Sequence, residues 1–310
     1  MTFKEIENIA NNRENIKELT DLCIGNLVVP YIGAGLSRFA GFPLWKNCIE
    51  QFIRNHCKGE TISTENLYDA ADAIMEYLKS EKFNKIFFDT FGGNLKDDDW
   101  NKILEKAKVE AVSVIPKLFN TPIITTNFDQ ILEKIHNSTL PVAFPNHINH
   151  IEDTKNAIKY RKRLIYKIHG CVSKPSDVVF TGKSYKKAYR SNTELVQKLS
   201  DFFKGVSFVF LGCGLDLSKS GKDKPIELWE KLTKTQMYHF AILEYPDDLE
   251  KRQDELKKRN IKPIFFQKGR FDTIKKNFRR NIRTKKVSIW KNTRIQIRFF
   301  FYVVCPPLFV

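Results

Sequence analysis

A chain of 310 residues suffices for one large domain or two modest ones, and its 42% hydrophobic content is ordinary for a globular protein with a real core. Its longest apolar run, Phe299 to Val310, is interrupted by Pro306 and Pro307 and is too short for a membrane span of about 20 residues. The net charge of +16 is lopsided: residues 1–250 hold 34 Lys+Arg against 33 Asp+Glu, while residues 251–310 hold 18 against 3. A nearly neutral body argues against a nucleic-acid-binding fold, so any nucleic-acid role would rest on the basic tail alone.

The first segment, Thr2 to Cys23, has apolar residues at Phe3, Ile6, Ile9, Ile16, Leu19 and Leu22 among charges, the spacing of an amphipathic helix. It has no basic n-region or apolar h-region, so no secretory signal is expected and the cytoplasm is the expected compartment. The run Asn26 to Ile32 reads as a β-strand ending in Gly33-Ala34-Gly35-Leu36-Ser37, with a helix from about Leu44 to His56. Glycines after a strand let backbone approach a phosphate at a helix N-terminus, although two glycines also make an ordinary tight turn. The G-x-G-x-x-G spacing of a dehydrogenase is missing, because position 38 is Arg and the next glycine, Gly41, comes late. Glu65 to Ala111 is largely helical, broken at Phe91-Gly92-Gly93.

From there strands and helices alternate. Thr121 to Thr126 reads as a strand followed by the Asp129 to His136 helix, and Thr125-Thr126-Asn127-Phe128-Asp129 spans the junction. Ligands of open α/β sheets sit at such strand ends, where a carboxamide beside a carboxylate can hold a ribose, a water or an amide; the same residue types also cap helices. Arg163 to His169 reads as a strand whose end, Lys167-Ile168-His169-Gly170, can present a histidine as general base. A short strand follows at Asp177 to Thr181, and two helices at about Lys183 to Lys204. The run Val206 to Leu211 is continuously apolar, as in a sheet buried on both faces, and leads into Gly212-Cys213-Gly214-Leu215-Asp216. Helix at Glu227 to Lys234, strand at Met237 to Leu243, helix at Asp247 to Arg259 and strand at Ile261 to Phe266 complete the pattern. This is an α/β fold: a Rossmann-like, mostly parallel sheet with helices on both faces and a small helical subdomain. The predicted domain is 1–278, with a helical insertion at about 45–118 and a basic and apolar tail at 279–310.

Six cysteines (23, 48, 57, 171, 213 and 305) are scattered without a C-x-x-C pair, so neither a zinc ribbon nor a disulfide framework is expected. The four strand-end turns become informative together. GAGxS, then T-x-N-x-D, then HG, then a glycine turn after an apolar strand resembles the sirtuin family in motif order over roughly residues 20 to 278. Val179-Phe180-Thr181 with Tyr185, and Asn260 to Ile264, look like the zinc-less, sirtuin-like NADase branch of bacterial anti-phage defence. Where sirtuin deacetylases carry G-x-P-D-F-R, this chain has Gly41-Phe42-Pro43-Leu44-Trp45.

The resemblance implies an NAD⁺ glycohydrolase that releases nicotinamide and ADP-ribose without a metal, in abortive-infection defence. It implies that Gly33, Ala34, Gly35 and Ser37 cradle the pyrophosphate and that Thr126 contributes to binding. Asn127 would position the ribose and attacking water, Asp129 the nicotinamide amide, and His169 would be the base. Gly212 and Gly214 would receive the adenosine side. Control by an activating partner or homo-oligomerisation is expected, and no membrane association. The alternatives are a non-catalytic NAD or ADP-ribose sensor, or an NAD-dependent deacylase or ADP-ribosyltransferase.

Overall fold

Strands that are apolar at every position can only be central strands covered on both sides, and that is how this chain is built. The computed structural model describes residues 8–9, 11–143, 156, 162–190, 197, 206–215 and 237–266. Seven strands form one parallel sheet: β1 (Val28–Ile32), β2 (Ile123–Thr125), β3 (Val142–Ala143), β4 (Ile165–Lys167), β5 (Ser207–Leu211), β6 (His239–Glu244) and β7 (Ile261–Phe266), in the spatial order β3-β4-β2-β1-β5-β6-β7. From β1 the chain steps to β2, passes to the edge strand β3, returns to β4 between them, and then crosses to the other side of β1 to start the second half at β5. The switch in direction therefore falls beside β1, where open α/β sheets place their ligands.

Alternation along each strand divides the core in two. Val28 and Ile32 of β1 and Val209 and Leu211 of β5 face one layer, and Val29, Tyr31, Phe208 and Phe210 face the other. The first layer comes from α1 (Asn12–Ile24), α4 (Asp97–Ala107) and α5 (Ile115–Leu118), through Ile16, Leu19, Trp100, Ile103, Ile115 and Leu118. The second includes α7 (Gly182–Tyr185) and α8 (Leu249–Lys257), through Tyr185 and Leu256. Pro30 sits in the middle of a central strand, normally a poor place for a residue without an N–H. It falls at the very start of the β1–β2 pairing, whose described register begins at Tyr31↔Ile124; around it the Thr121 hydroxyl donates to the Val28 carbonyl at 2.8 Å, and Ile32 O receives Thr126 N–H at 3.2 Å.

The helices between β1 and β2 do not form one unit. Only α2 (Trp45–His56) and α3 (Leu67–Thr90) build a separate core, in which Phe52, Phe83 and Phe87 pack with Phe128 and Phe180. α4 and α5 belong to the main sheet. The remaining helix, α6 (Ile131–Ile135), follows β2 directly.

α1 also seals the end of the described sheet. Asn12 donates to Phe265 O at 2.8 Å and accepts from Phe265 N–H at 2.9 Å, and Asn15 donates to Pro263 O at 2.7 Å. Two asparagine side chains thus supply the bonds that a further strand would make to β7. The proline at 263 removes one donor from that edge.

Three expectations need correction. The helix expected over Thr2 to Cys23 is not continuous: Asn11 has φ 55°, a left-handed conformation that interrupts a helix, and the described helix runs over Asn12–Ile24, while residues 1–7 and 10 lie outside the described residues. Asp177 to Thr181 is not a strand. Pro175–Asp177 is a 3₁₀ turn, and Val178, Val179 and Phe180 are buried by packing, with Val179 N–H bonded to His169 O at 2.9 Å. Burial of three consecutive apolar residues mimicked a strand that has no ladder partner. The GAG turn opens into a 3₁₀ turn, Ala34–Ala40, in place of an α-helix, whereas α2 lies over Trp45–His56, as expected from about Leu44. The expected helix at Glu227 to Lys234, the second half of Lys183 to Lys204, Asp216, and the tail at 279–310 lie outside the described residues.

Candidate functional site

Parallel register gathers the sequence motifs without any contribution from loop geometry. Lys167, Thr125, Ile32 and Leu211 pair in one row across β4, β2, β1 and β5. The residues one or two positions beyond that row are His169, Asn127, Gly33 and Gly212. Four motifs separated by up to 180 residues thus meet at one end of adjacent strands.

The two glycine turns pack against each other. Gly33 N–H donates to Leu211 O at 2.8 Å and Gly35 N–H to Gly212 O at 2.9 Å. A Cβ on Gly33 would lie 2.6 Å from Gly212 O and 2.7 Å from Cys213 Sγ, and one on Gly212, whose φ is +68°, would lie 2.6 Å from Leu36 N. These glycines are needed because backbone meets backbone. Gly33→Ala should therefore separate β1 from β5 and cost about 3 kcal/mol, at the upper end of overpacking penalties; urea unfolding that left stability unchanged would show that the turns can part freely. Ala34 and Gly35 are half-buried at the start of the 3₁₀ turn, and Gly214 is exposed with open space about its Cα.

Asn127 is buried and makes the central connections. Its Nδ2 donates to Gly33 O at 3.2 Å and to Ser37 Oγ at 3.0 Å, and its N–H bonds Thr125 Oγ1 at 3.0 Å. Its Oδ1 is buried and has no partner among the described residues. Thr126 is half-buried beside it. Asp129 is buried as well; its Oδ1 accepts from Ile131 N–H at 3.0 Å, capping α6. Burial raises the Asp129 carboxyl above the usual carboxylate range, opposed by Lys167, the Ile131 N–H and a hydrogen bond with Ser37. Ser37 therefore links the carboxamide to the carboxylate.

His169 closes the site on the β4 side. Its Nε2 is buried and without a partner among the described residues, and its ring lies 6.4 Å from Phe128 and 6.2 Å from Tyr189, centroid to centroid. The Tyr189 hydroxyl donates to Ile168 O, fixing the backbone just before the histidine. Burial pulls the imidazole pKa down to about 4, so the ring is neutral near pH 7. Phe128 and Phe180 join this site to the α2–α3 core, so the helical layer ends on the catalytic candidates themselves.

Two other buried histidines, His136 and His239, also sit at about 4, through burial first and, for His136, the Arg163 charge second. All three bind protons more readily in the unfolded chain, near pH 6.5. Their contribution is therefore complete above about pH 6.5 and is lost as pH falls toward about 4. Denaturant melts at pH 7 and pH 4.5 should differ by a few kcal/mol in that direction, and equal stabilities would show these rings to be solvated.

Sequence reasoning passed over two residues beneath the site. Lys167 is fully buried, with Nζ 2.9 Å from Glu133 Oε1 and hydrogen-bonded to the Asp129 backbone carbonyl. Burial by itself would lower the ammonium pKa, but Glu133, then Cys171 and Asp129, outweigh it and raise it. The one available signal was a lysine inside a strand otherwise closed to water. Among the described residues no group of three His, Cys, Asp or Glu is placed to hold a metal ion. The described cysteines are all free thiols; burial pushes Cys23 up to about 12, and raises Cys48 and Cys57 as well.

A parallel sheet with its site at the switch between halves defines a Rossmann-like α/β protein. Within that class, residues 121–264 match the family described as SIR2-like domain. The match begins after β1, and the structure returns the GAG turn to it through the Asn127 bonds. Among curated proteins, the chain is 24% identical over 305 residues to the NAD(+) hydrolase ThsA of Bacillus cereus (strain MSX-D12), covering 88% of this chain and 58% of that protein. It is 25% identical over 198 residues to the ThsA of Acinetobacter baumannii (strain 532279), covering 64% and 37%, and 21% identical over 214 residues to that of Cytobacillus dafuensis, covering 68% and 40%. The chain thus spans between about a third and three-fifths of the length of these relatives.

Proposed function

We propose that the chain is an NAD⁺ glycohydrolase, splitting the nicotinamide–ribose bond to give nicotinamide and ADP-ribose. The observation that carries this reading is the pair of buried, unpartnered atoms, Asn127 Oδ1 and His169 Nε2, on adjacent strand ends. Buried polar atoms without a partner are rare in native proteins, and two at one ligand-binding position suit a substrate that brings hydroxyls or a water. The NAD(+) hydrolase names of the relatives support the choice of substrate.

In this reading Asn127 uses Nδ2 to hold its own geometry and offers Oδ1 as acceptor to a ribose hydroxyl or the attacking water. His169, neutral near pH 7, takes the proton from that water or hydroxyl. Asp129 meets the carboxamide of nicotinamide, and Thr126 lines the ribose. Gly33, Ala34, Gly35 and Ser37 face the pyrophosphate, and Gly212 and Gly214 the adenosine side. Gly35 N–H is already bonded to Gly212 O, so phosphate recognition falls to the other N–H groups of the 3₁₀ turn and to Ser37. Hydrolysis needs no metal in this scheme. A domain over 1–278, a cytoplasmic setting, an abortive anti-phage role and release of activity by self-assembly or a partner protein complete the proposal.

The test is nicotinamide release from NAD⁺ by purified protein across a concentration series. Release, steepening with concentration, is the expected result. Tight NAD⁺ binding without release would replace the hydrolase with a sensor, and release only on addition of a protein acceptor would replace it with a deacylase or transferase.

A further inference from the structure

The buried lysine beneath the site has a use that its ion pair alone does not explain. Lys167 Nζ has two described partners: Glu133 Oε1 at 2.9 Å, on α6, and the backbone carbonyl of Asp129, in the turn between β2 and α6. Both partners lie after β2, whereas Lys167 itself ends β4. The side chain therefore ties the β2–α6 turn to the neighbouring strand at the level of the site. Two residues before Asp129 is Asn127, and two residues after Lys167 is His169. Phe128 O, between Asn127 and Asp129, receives Val172 N–H at 2.8 Å, a second tie between the same two segments.

Solvent offers no substitute for this contact. Lys167 is 0% exposed and Glu133 8%, and Glu133 Oε2 has no partner among the described residues. A buried ammonium is costly unless its geometry is well satisfied, and replacement by apolar residues of similar volume is often neutral or favourable for stability. Stability is therefore a weak reason for a lysine here, while holding one carbonyl at a fixed place is something a methionine could not do.

We propose that Lys167 is a positioning residue of the site: its ammonium, anchored by Glu133, clamps the Asp129 carbonyl to β4 and so fixes the Asn127–Asp129 turn opposite His169. The inference rests on the NAD⁺ hydrolase reading for its catalytic consequence, but not for the clamp itself. Lys167 needs no contact with substrate. Its effect passes through Asn127 and Asp129, whose placement within a fraction of an ångström decides whether Oδ1 meets the reacting water.

The test compares three variants of the full chain: Lys167→Met, Lys167→Met with Glu133→Gln, and Glu133→Gln alone. The single lysine variant strands a buried carboxylate and is expected to lose stability. The double variant removes both charges and should recover the wild-type Tm. A purely structural pair would then also recover turnover. A clamp would not: kcat should stay down by roughly tenfold or more with KM for NAD⁺ almost unchanged, because geometry at the reacting atoms is lost while binding persists. Amide hydrogen exchange over residues 126–132, measured without substrate, should quicken by about tenfold in the double variant and stay slow elsewhere. Glu133→Gln keeps the lysine and an acceptor oxygen and should retain slow exchange in that turn.

Recovery of turnover together with Tm in the double variant would overturn the proposal, as would unchanged exchange over 126–132. Equal loss of protection in Glu133→Gln and Lys167→Met would overturn it too, since the lysine would then not be the clamp. Should wild-type protein release no nicotinamide, the hydrolase reading falls, and the exchange measurement still decides whether Lys167 holds the turn.

Discussion

Asn127→Ala is expected to lower nicotinamide release from NAD⁺ by about 10²–10³-fold, the range seen when one precisely placed polar group is removed from an active site. The side chain has two separate duties, and the substitution removes both. Nδ2 ties β2 to the GAG turn through Gly33 O and Ser37 Oγ, while Oδ1 is the acceptor assigned to water or ribose. Losing the first duty costs about 1–2 kcal/mol of stability, since a Gly33 carbonyl and a Ser37 hydroxyl lose a partner. Asn127→Asp separates the two duties. It keeps an acceptor oxygen but sets a second one against Gly33 O, so the turn should loosen although an acceptor remains. His169→Ala should lower release comparably without touching the GAG turn. Initial rates together with thermal melts check the pair, and full activity in a folded Asn127→Ala or His169→Ala protein would end the assignment of that residue.

The second large effect is on stability. Glu133→Ala should destabilise the fold by about 3–5 kcal/mol, because it leaves the Lys167 ammonium buried without its anion. The residue lies on a five-residue helix, and a surface reading of its charge would predict almost nothing. Its 8% exposure and the 2.9 Å contact to a fully buried lysine reverse that expectation. Urea unfolding of Glu133→Ala against wild type measures it, and a loss within a few tenths of a kcal/mol would mean that water reaches the ammonium. The effect should persist in high salt, unlike that of the exposed Lys46–Glu50 and Lys102–Asp99 pairs.

Much of the architecture could be read from residues alone, for a physical reason. A sheet covered on both faces leaves uninterrupted apolar runs such as Val206 to Leu211, and its strand ends are punctuated by Gly, Asn, Asp and His. The motifs around Gly33, Asn127, His169 and Gly212 were visible because backbone approach and polar chemistry restrict residue choice at those ends. Their convergence was an inference from fold type, which the register Lys167–Thr125–Ile32–Leu211 replaces with a definite row. Val178 to Phe180 failed the same logic, since an apolar run records burial and not hydrogen bonding.

Other features had no local signature. Glutamate at 133 looks like an ordinary surface charge until β4 and α6 are placed side by side, and only then does the lysine inside β4 gain a partner. The mutual packing of the two glycine turns is equally invisible, because Gly33 and Gly212 are remote in sequence. α4 and α5 carried helical periodicity that was correctly read. Whether they belonged to the sheet or to the α2–α3 layer depended on which face of β1 they met, and periodicity does not carry that information.

The asparagines at the end of the sheet bear on how copies of this chain can associate. A bare terminal strand is a template on which a neighbouring molecule can extend a sheet. Here Phe265 has both backbone groups occupied by Asn12, and Pro263 has its carbonyl taken by Asn15 and no N–H to give. A second molecule pairing along Pro263 to Phe265 would have to unseat α1 and expose Ile16 and Leu19. Docking through surfaces that leave the sheet closed is the less costly route, so the N-terminal helix acts as a guard against runaway stacking of one copy on the next.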